Sequence, residues 1–248
     1  MAFNQCQIRS NVLDMNTSIA VIYPEHIDLN KEVAVLYLLH GYSGNHMDWV
    51  RRTAIERYVD TYQICVVMPE IYNSFYSNNA FGIKYFDYVA QELPLIIEKM
   101  YRVSSKKENR YIAGLSMGGY GAMKVGLTYP NQFHKIASFS GVLDIDQMYK
   151  DGPKEKRDLL FNLIFEKHPV TNTKDDLFYL VKEAKKKNDS LNLYIACGKD
   201  DFLYPHHTKF INYLNQEKIP YEYYETNGGH EWRLWDLFIQ KALKWMFD

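Results

Sequence analysis

Short, continuous runs of apolar residues alternate with stretches of helical periodicity along this chain. Runs without polar interruption are typical of strands that are buried on both faces of a parallel sheet. The alternation therefore predicts an α/β fold, with a mostly parallel central sheet covered by helices on both faces. The predicted strands span residues 33–39, 64–68, 111–113 with the residues before them, 135–140, 191–197 and 221–224.

The segments between these runs predict helices over residues 51–60, 85–101, 116–129, 175–187, 206–217 and 231–247. Pro94 lies within the second of them, where its missing amide proton predicts a kink or a break. The first 25 residues are typical of an antiparallel edge pair. Residues 144–173 are polar and longer than an ordinary connection, so we expect an irregular excursion over the sheet edge within a single domain of residues 1–248.

The composition excludes several classes of partner. With 29 Lys and Arg against 30 Asp and Glu, the chain lacks the positive electrostatic field that attracts nucleic acid or an anionic membrane.

Residues 1–10 have no secretory pattern and the longest apolar run is too short to span a bilayer, so we expect a cytoplasmic protein without membrane insertion. Three cysteines in no CxxC pattern indicate reduced thiols. The oligomeric state stays open, and a homo-oligomer is compatible with the sequence.

The strongest chemical motif is Gly-Leu-Ser-Met-Gly at residues 114–118, between a predicted strand and a predicted helix. Its glycines allow a sharp turn that exposes the Ser116 hydroxyl above the sheet, at a helix N-terminus where negative charge is stabilised. A helix N-cap would explain Ser116 alone, but it does not need glycines at both flanking positions. The motif therefore predicts Ser116 as a nucleophile.

A serine hydroxyl becomes a good nucleophile when a histidine takes its proton. Among eight histidines, His230 lies in a glycine loop (GGHEW, 228–232) after the last predicted strand, where its side chain can reach the carboxyl edge of the sheet. By contrast, His206 and His207 open a predicted helix, and we expect them to face solvent.

The carboxylate that orients this histidine is Asp200 or Asp201, both directly after the predicted strand 191–197. The other aspartate is then a turn former or a helix cap, and the local sequence leaves the choice open.

A serine that attacks a carbonyl carbon forms a tetrahedral oxyanion, and this oxyanion needs two backbone amides as hydrogen-bond donors. The glycine turn after strand 33–39 and the residue after the nucleophile predict the N–H groups of Tyr42 and Met117.

Aromatic residues predict a small acyl pocket at the same edge. The segment 71–82 follows strand 64–68 and should leave the sheet near Ser116. We expect it to contribute to rigid walls that favour short acyl chains, although packing at the sheet edge is the alternative role for each aromatic. The predicted substrate-binding residues are Trp49, Tyr72, Tyr76 and Trp232. The chemistry requires no metal and no cofactor.

These motifs, in this order, resemble the esterase D family of α/β-hydrolases, and most closely its bacterial tributyrin esterase and acetylesterase branch. The resemblance implies the α/β-hydrolase fold and hydrolysis of carboxylic esters. The family's acid loop reads Gly-x-x-Asp-x-Leu, which implies Asp201 as the acid. It rests on residues 38–46 (LLHGYSGNH), 114–122 (GLSMGGYGA), 138–141 (SFSG), 197–204 (CGKDDFLY) and 229–232 (GHEW).

The resemblance leaves two alternatives. S-formylglutathione hydrolases share the scaffold, but this chain differs from them in the oxyanion turn and at Leu115 and Tyr120 of the nucleophile motif. An inactive hydrolase-fold binding protein usually lacks a member of the triad, whereas this chain has all three. We therefore predict a serine carboxylesterase that acts on acetyl to butyryl esters through an acyl-enzyme, with a thioesterase of the formylglutathione type as the alternative.

Overall fold

An eight-stranded sheet forms the centre of the protein. The computed structural model describes residues 1–28, 30–152, 154–165, 169–187 and 190–248, with the backbone alone at 154–157. In chain order the strands are β1 (Ala2–Ser10), β2 (Met15–Tyr23), β3 (Val35–Leu39), β4 (Cys65–Pro69), β5 (Arg110–Leu115), β6 (Lys135–Phe139), β7 (Leu193–Gly198) and β8 (Tyr221–Thr226).

The sheet is parallel except at one edge. Its spatial order is β1-β2-β4-β3-β5-β6-β7-β8. β1 pairs with β2, and β2 with β4, in antiparallel registers, whereas every pair from β4 to β8 is parallel. The predicted parallel sheet with an antiparallel N-terminal edge is confirmed. All the loops that leave the carboxyl ends of β3 to β8 therefore meet at one edge.

Helices cover both faces of the sheet. They are α1 (Asp48–Arg52), α2 (Ile55–Asp60), α3 (Tyr85–Asp87), α4 (Leu93–Met100), α5 (Met117–Thr128), α6 (Ile145–Asp151), α7 (Lys154–Ile164), α8 (Leu177–Lys186), α9 (Tyr204–Glu217) and α10 (Trp232–Phe247), with a 3₁₀ turn at Lys107–Asn109. Within the described ranges, none of these helices has the length and apolar character needed to cross a membrane.

Two apolar cores flank the sheet, because successive strand residues point to opposite faces. Tyr37 and Leu39 enter the first core, which we call the α5 core and which packs against α4, α5, α8 and α9. Leu36 and Leu38 enter the second, the α10 core, which packs against α1, α2 and α10. All four side chains are buried, as continuous apolar runs predict.

The predicted helix 85–101 is interrupted before Pro94, as expected: a π-helical turn (Tyr88–Glu92) separates α3 from α4, and Pro94 lies in the first turn of α4, where its missing N–H is tolerated. One local prediction was wrong, since the segment 144–173 is not irregular throughout but forms α6 and α7. Part of that segment, residues 153 and 166–168, lies outside the described ranges.

A buried lysine ties two connections to α5. Only 1% of the Lys124 side chain is exposed, and its ammonium pairs with the Asp175 carboxylate. It also donates to the Ser77 hydroxyl at 2.7 Å and to the Tyr76 carbonyl at 3.2 Å. Burial lowers the pKa of Lys124, and the charge of Asp175 opposes that shift. The lysine thus fastens both the loop after β4 and the segment before α8.

Lys124→Met should lower the free energy of unfolding by about 3 kcal/mol, because it leaves a carboxylate inside the protein without its partner. Equilibrium urea denaturation followed by circular dichroism measures the change. Lys182→Met, at an exposed position of α8, is the control and should stay within about 0.5 kcal/mol of the wild type. Equal stability of the two variants would show that the buried pair does not hold these connections.

Candidate active site

Ser116 occupies a strained turn between β5 and α5. Its backbone has φ 53° and ψ −119°, so the helix begins one residue later than predicted, at Met117. Such a conformation costs about 1–3 kcal/mol and persists only when the surroundings hold it. Here the Ser116 amide donates to the Phe139 carbonyl at 2.8 Å, and the Tyr120 amide donates to the Ser116 carbonyl at 3.1 Å.

Gly118 allows α5 to begin against the end of β3. A Cβ atom at this position would lie 2.5 Å from the Leu39 carbonyl oxygen, which no side chain tolerates. The close approach puts the turn after β3 beside the serine, and a Cβ at Gly41 would stand 3.5 Å from the Ser116 Cβ. Gly41 and Gly118, which come from two distant motifs, therefore both allow this close approach between the start of α5 and the end of β3.

Three side chains from separate loops form a hydrogen-bonded chain. His230 Nε2 lies 2.9 Å from Ser116 Oγ. On the other side of the ring, Nδ1 lies 2.9 Å from Asp201 Oδ2 and 3.1 Å from Oδ1. Because an ionised carboxylate only accepts, Nδ1 carries the proton and Nε2 is left to accept from the serine hydroxyl.

The two adjacent aspartates have different surroundings. Asp201 is buried, which by itself would raise its pKa, but the hydrogen bond and charge of His230 together with the Leu203 amide bring the pKa below its ordinary value. Asp200 is exposed, and its Oδ2 accepts from the Gly228 amide at 3.0 Å. Asp201 thus faces the imidazole, whereas Asp200 anchors the glycine loop that precedes His230.

Two aromatic rings that the sequence reasoning missed enclose the imidazole. The ring centroid of Phe202 lies 4.7 Å from that of His230, and the Trp235 centroid lies 4.9 Å away, edge to face. Phe202 is 68% exposed, so it covers the histidine from the solvent side. The sequence signal that could have identified Phe202 is its position directly after Asp201.

The expectation that His206 and His207 face solvent was wrong, since both are buried. The His207 Nε2–H donates to the Gly141 carbonyl at 3.1 Å, and burial lowers the pKa of His207 to about 4. His206 pairs through Nε2 with Asp151 at 3.1 Å. The periodicity of α9 places both residues on the face of the helix that points into the protein. The prediction was wrong because it relied on the polarity of histidine, which favours the surface.

A cavity of about 630 Å³ opens above Ser116 and His230. Among the four predicted substrate-binding residues, Trp232 lines it, whereas Trp49, Tyr72 and Tyr76 do not. The full lining is Gly41, Tyr42, Ser43, Gly44, Asp48, Arg52, Phe75, Leu115, Ser116, Met117, Val142, Met148, Phe202, Leu203, His230, Glu231, Trp232 and Trp235.

The three predicted aromatic residues that do not line the cavity lie elsewhere in the structure. Trp49 is buried, where its indole N–H donates to the Leu39 carbonyl at 3.0 Å and its ring supports Trp232 edge to face. Tyr76 is also buried, and its hydroxyl donates to the His40 carbonyl at 2.9 Å. Tyr72 is 56% exposed. The backbone is left-handed at both Phe75 and Tyr76 (φ 50° each), and of the two only Phe75 lines the cavity.

Tyr42 and Met117 line the cavity beside Ser116. Met117 is the first residue of α5, so its amide is one of those that a helix leaves without an internal acceptor. The turn that carries Tyr42 is fixed by a bond from the Gly44 amide to the Gly41 carbonyl, 3.1 Å, and by one from the Ser43 amide to Asn73 Oδ1, 2.7 Å. Among the described side chains, no group of three or more His, Cys, Asp or Glu could hold a metal ion.

Comparison with known proteins assigns the chain to a family. The model of the family described as "Putative esterase" matches residues 10–246. The chain belongs to this esterase family. It is 33% identical to the acetyl esterase of Caldicellulosiruptor saccharolyticus, over 99% of this chain and 98% of that protein. The predicted esterase resemblance is therefore confirmed, and the protein is a carboxylic ester hydrolase.

Solved structures give the same assignment. The fluorophosphonate-binding serine hydrolase F of Staphylococcus aureus superposes with a TM-score of 0.92 at 31% identity, covering 100% of this chain and 98% of that one. The S-formylglutathione hydrolase of S. aureus gives 0.89 at 31% identity, covering 100% and 99%. The predicted α/β-hydrolase fold is confirmed.

The different surroundings of the two aspartates predict different losses of activity. Asp201→Asn should lower kcat by about 10⁴-fold, the size of loss known for this change in another serine hydrolase, because the amide favours the wrong histidine tautomer. Asp200→Asn should lower kcat less than about tenfold, since its side-chain carbonyl still accepts from the Gly228 amide. Steady-state hydrolysis of p-nitrophenyl acetate measures both. Equal losses, or a larger loss in Asp200→Asn, would show that Asp201 has been assigned incorrectly as the acid.

Proposed function

We propose that the protein is a serine carboxylesterase that hydrolyses acetyl to butyryl esters of small alcohols through an acyl-enzyme. The observation that carries the proposal is the hydrogen-bonded chain from Ser116 through His230 to Asp201, with 2.9 Å at each step. In this proposal Ser116 is the nucleophile, His230 the general base and acid, and Asp201 the group that fixes the imidazole.

Acylation begins when Ser116 Oγ attacks the ester carbonyl carbon and its proton passes to His230 Nε2. The negative oxygen of the tetrahedral intermediate accepts from the Tyr42 and Met117 amides, and the N-terminal end of α5 stabilises its charge. The carbon–oxygen bond to the alcohol then breaks, and the leaving oxygen takes the proton from His230.

Deacylation follows the same path with water in place of serine. His230 removes a proton from the water as it attacks the acyl carbon, and the second intermediate collapses to release the acid and return the proton to Ser116. The ionised Asp201 stabilises the imidazolium in both halves of the reaction. Every proton is thus carried by one histidine.

The free thiols support a cytoplasmic location as part of the proposal. Cys6, Cys65 and Cys197 are unpaired, and unpaired cysteines are typical of proteins in a reducing compartment.

A thioesterase of the S-formylglutathione type is the second candidate, because an S-formylglutathione hydrolase matches the whole chain at 31% identity. The two candidates share the triad and differ in the leaving group. The ratio of kcat/KM for S-formylglutathione to that for p-nitrophenyl acetate, measured on one preparation, separates them. A ratio far above one would favour the thioesterase.

A fluorophosphonate probe should label the wild-type protein covalently, because the serine oxygen displaces fluoride from phosphorus. Ser116→Ala should abolish labelling and nearly all ester hydrolysis while the circular dichroism spectrum stays unchanged. Ser43→Ala, which changes a second serine on the cavity wall, should still be labelled. Labelling of Ser116→Ala, detected by gel fluorescence and mass spectrometry, would contradict the proposed nucleophile.

On p-nitrophenyl esters, kcat/KM should be highest from acetyl to butyryl and fall steeply by octanoyl. One cavity of about 630 Å³ must hold both the acyl and the alcohol parts, and each methylene left outside forfeits about 0.8 kcal/mol of burial. A series of acyl chains with one leaving group measures the profile. A profile that keeps rising beyond octanoyl would refute the small acyl pocket.

A further inference from the structure

The apolar residues of the cavity divide between the two cores. Phe75, Val142 and Leu203 belong to the α5 core, and Met148 packs against it. On the other side, Trp235 belongs to the α10 core and Trp232 packs against that core. The two sets of residues therefore form two halves of one cavity, which we call the α5 half and the α10 half.

The halves also differ in charge. The charged residues Asp48 and Arg52 lie on α1, and Glu231 directly precedes α10, so all three lie on the α10 side. The Arg52 guanidinium stands 5.6 Å from the centre of the Trp232 ring. The α5 half has no charged residue among its described lining. An apolar acyl chain is therefore better matched to the α5 half.

The position of His230, the proposed general acid, assigns the α10 half to the alcohol part of the ester. In the proposed reaction the leaving oxygen must come within hydrogen-bonding distance of His230 Nε2. The His230 ring packs edge to face on Trp235, and Trp232 packs edge to face on Trp235 in turn. The alcohol therefore leaves along the α10 half, and the acyl chain extends into the α5 half.

We propose that Met148 of α6 closes the α5 half and sets the longest acyl chain that the enzyme accepts, an assignment that rests on the proposed esterase function. Phe75, Val142 and Leu203 are buried and fixed by the core, with Phe75 braced by the rings of Phe161 and Phe165. Met148 is only half-buried, and its flexible side chain forms the outer boundary.

Helix α6 is fastened to α9 at both ends, so this boundary is held in place. At its start, the Asp144 carboxylate caps the Gln147 amide at 2.9 Å and pairs with Lys209. At its end, Asp151 pairs with the buried His206 at 3.1 Å. The helix that carries Met148 is thereby attached to the element that follows the acid loop.

The ratio of kcat/KM for p-nitrophenyl hexanoate to that for acetate tests the assignment. Met148→Ala removes three side-chain atoms and should raise the ratio about tenfold, because each newly buried methylene contributes about fourfold. Met148→Trp should lower the butyrate-to-acetate ratio about tenfold, and the isosteric Met148→Leu should leave both ratios within about twofold of the wild type. Met100→Ala, an exposed methionine of α4, is the matched control and should change neither.

Trp232→Ala tests the α10 half, where the alcohol part is expected to bind. It should change the relative kcat/KM among acetates of different alcohols and leave the hexanoate-to-acetate ratio unchanged. The assignment of Met148 is overturned if acetate turnover is normal and the ratios stay at the wild-type value in both Met148→Ala and Met148→Trp, or if Trp232→Ala moves the acyl ratio instead. Acetate turnover that is equal in the wild type and Ser116→Ala would instead refute the proposed Ser116 mechanism, on which the assignment rests.

Discussion

The start of α5 lies against the end of β3 so closely that a Cβ atom at Gly118 would stand 2.5 Å from a backbone oxygen of β3. This contact obliges the chain to turn from strand to helix within the single residue Ser116, in a conformation with φ 53°. The same contact brings the turn that carries Tyr42 next to the serine. The proposed nucleophile and the proposed oxyanion donors are therefore positioned by one close backbone approach, and the packing of the buried helix α5 holds Ser116 in its strained conformation.

The remaining members of the site are supplied by neighbouring strands of the sheet. Because β3, β5, β7 and β8 are parallel, their carboxyl ends bring the turn that carries Tyr42, Ser116, Asp201 and His230 to one edge. The bond from the exposed Asp200 to the Gly228 amide joins the last two loops. The position of these two loops relative to each other therefore bears on the distance from His230 to Ser116.

The sheet, the esterase assignment and the grouping of Ser116, Asp201 and His230 could be predicted because each depends on a local pattern: apolar runs, flanking glycines and motif order. The choice between adjacent aspartates rested on resemblance, because local sequence says little about which carboxylate is buried. Predictions failed where a side chain's direction depends on tertiary packing. Tyr76, expected on the cavity wall, is buried beside it, in a stretch where both Phe75 and Tyr76 have left-handed backbone. The buried His206 pairs with Asp151 at the end of α6, in a segment that the sequence predicted to be irregular.

The separation of the triad along the chain has a consequence for biosynthesis. Ser116 precedes its proposed base, His230, by 114 residues, so a ribosome that adds about 5–20 residues per second makes the serine about 6–23 s before the histidine. In the proposed mechanism, Ser116 is an ordinary alcohol during that interval. It becomes reactive only after β8 has paired with β7 and the loop that follows β8 has brought His230 Nε2 within 2.9 Å of the serine oxygen.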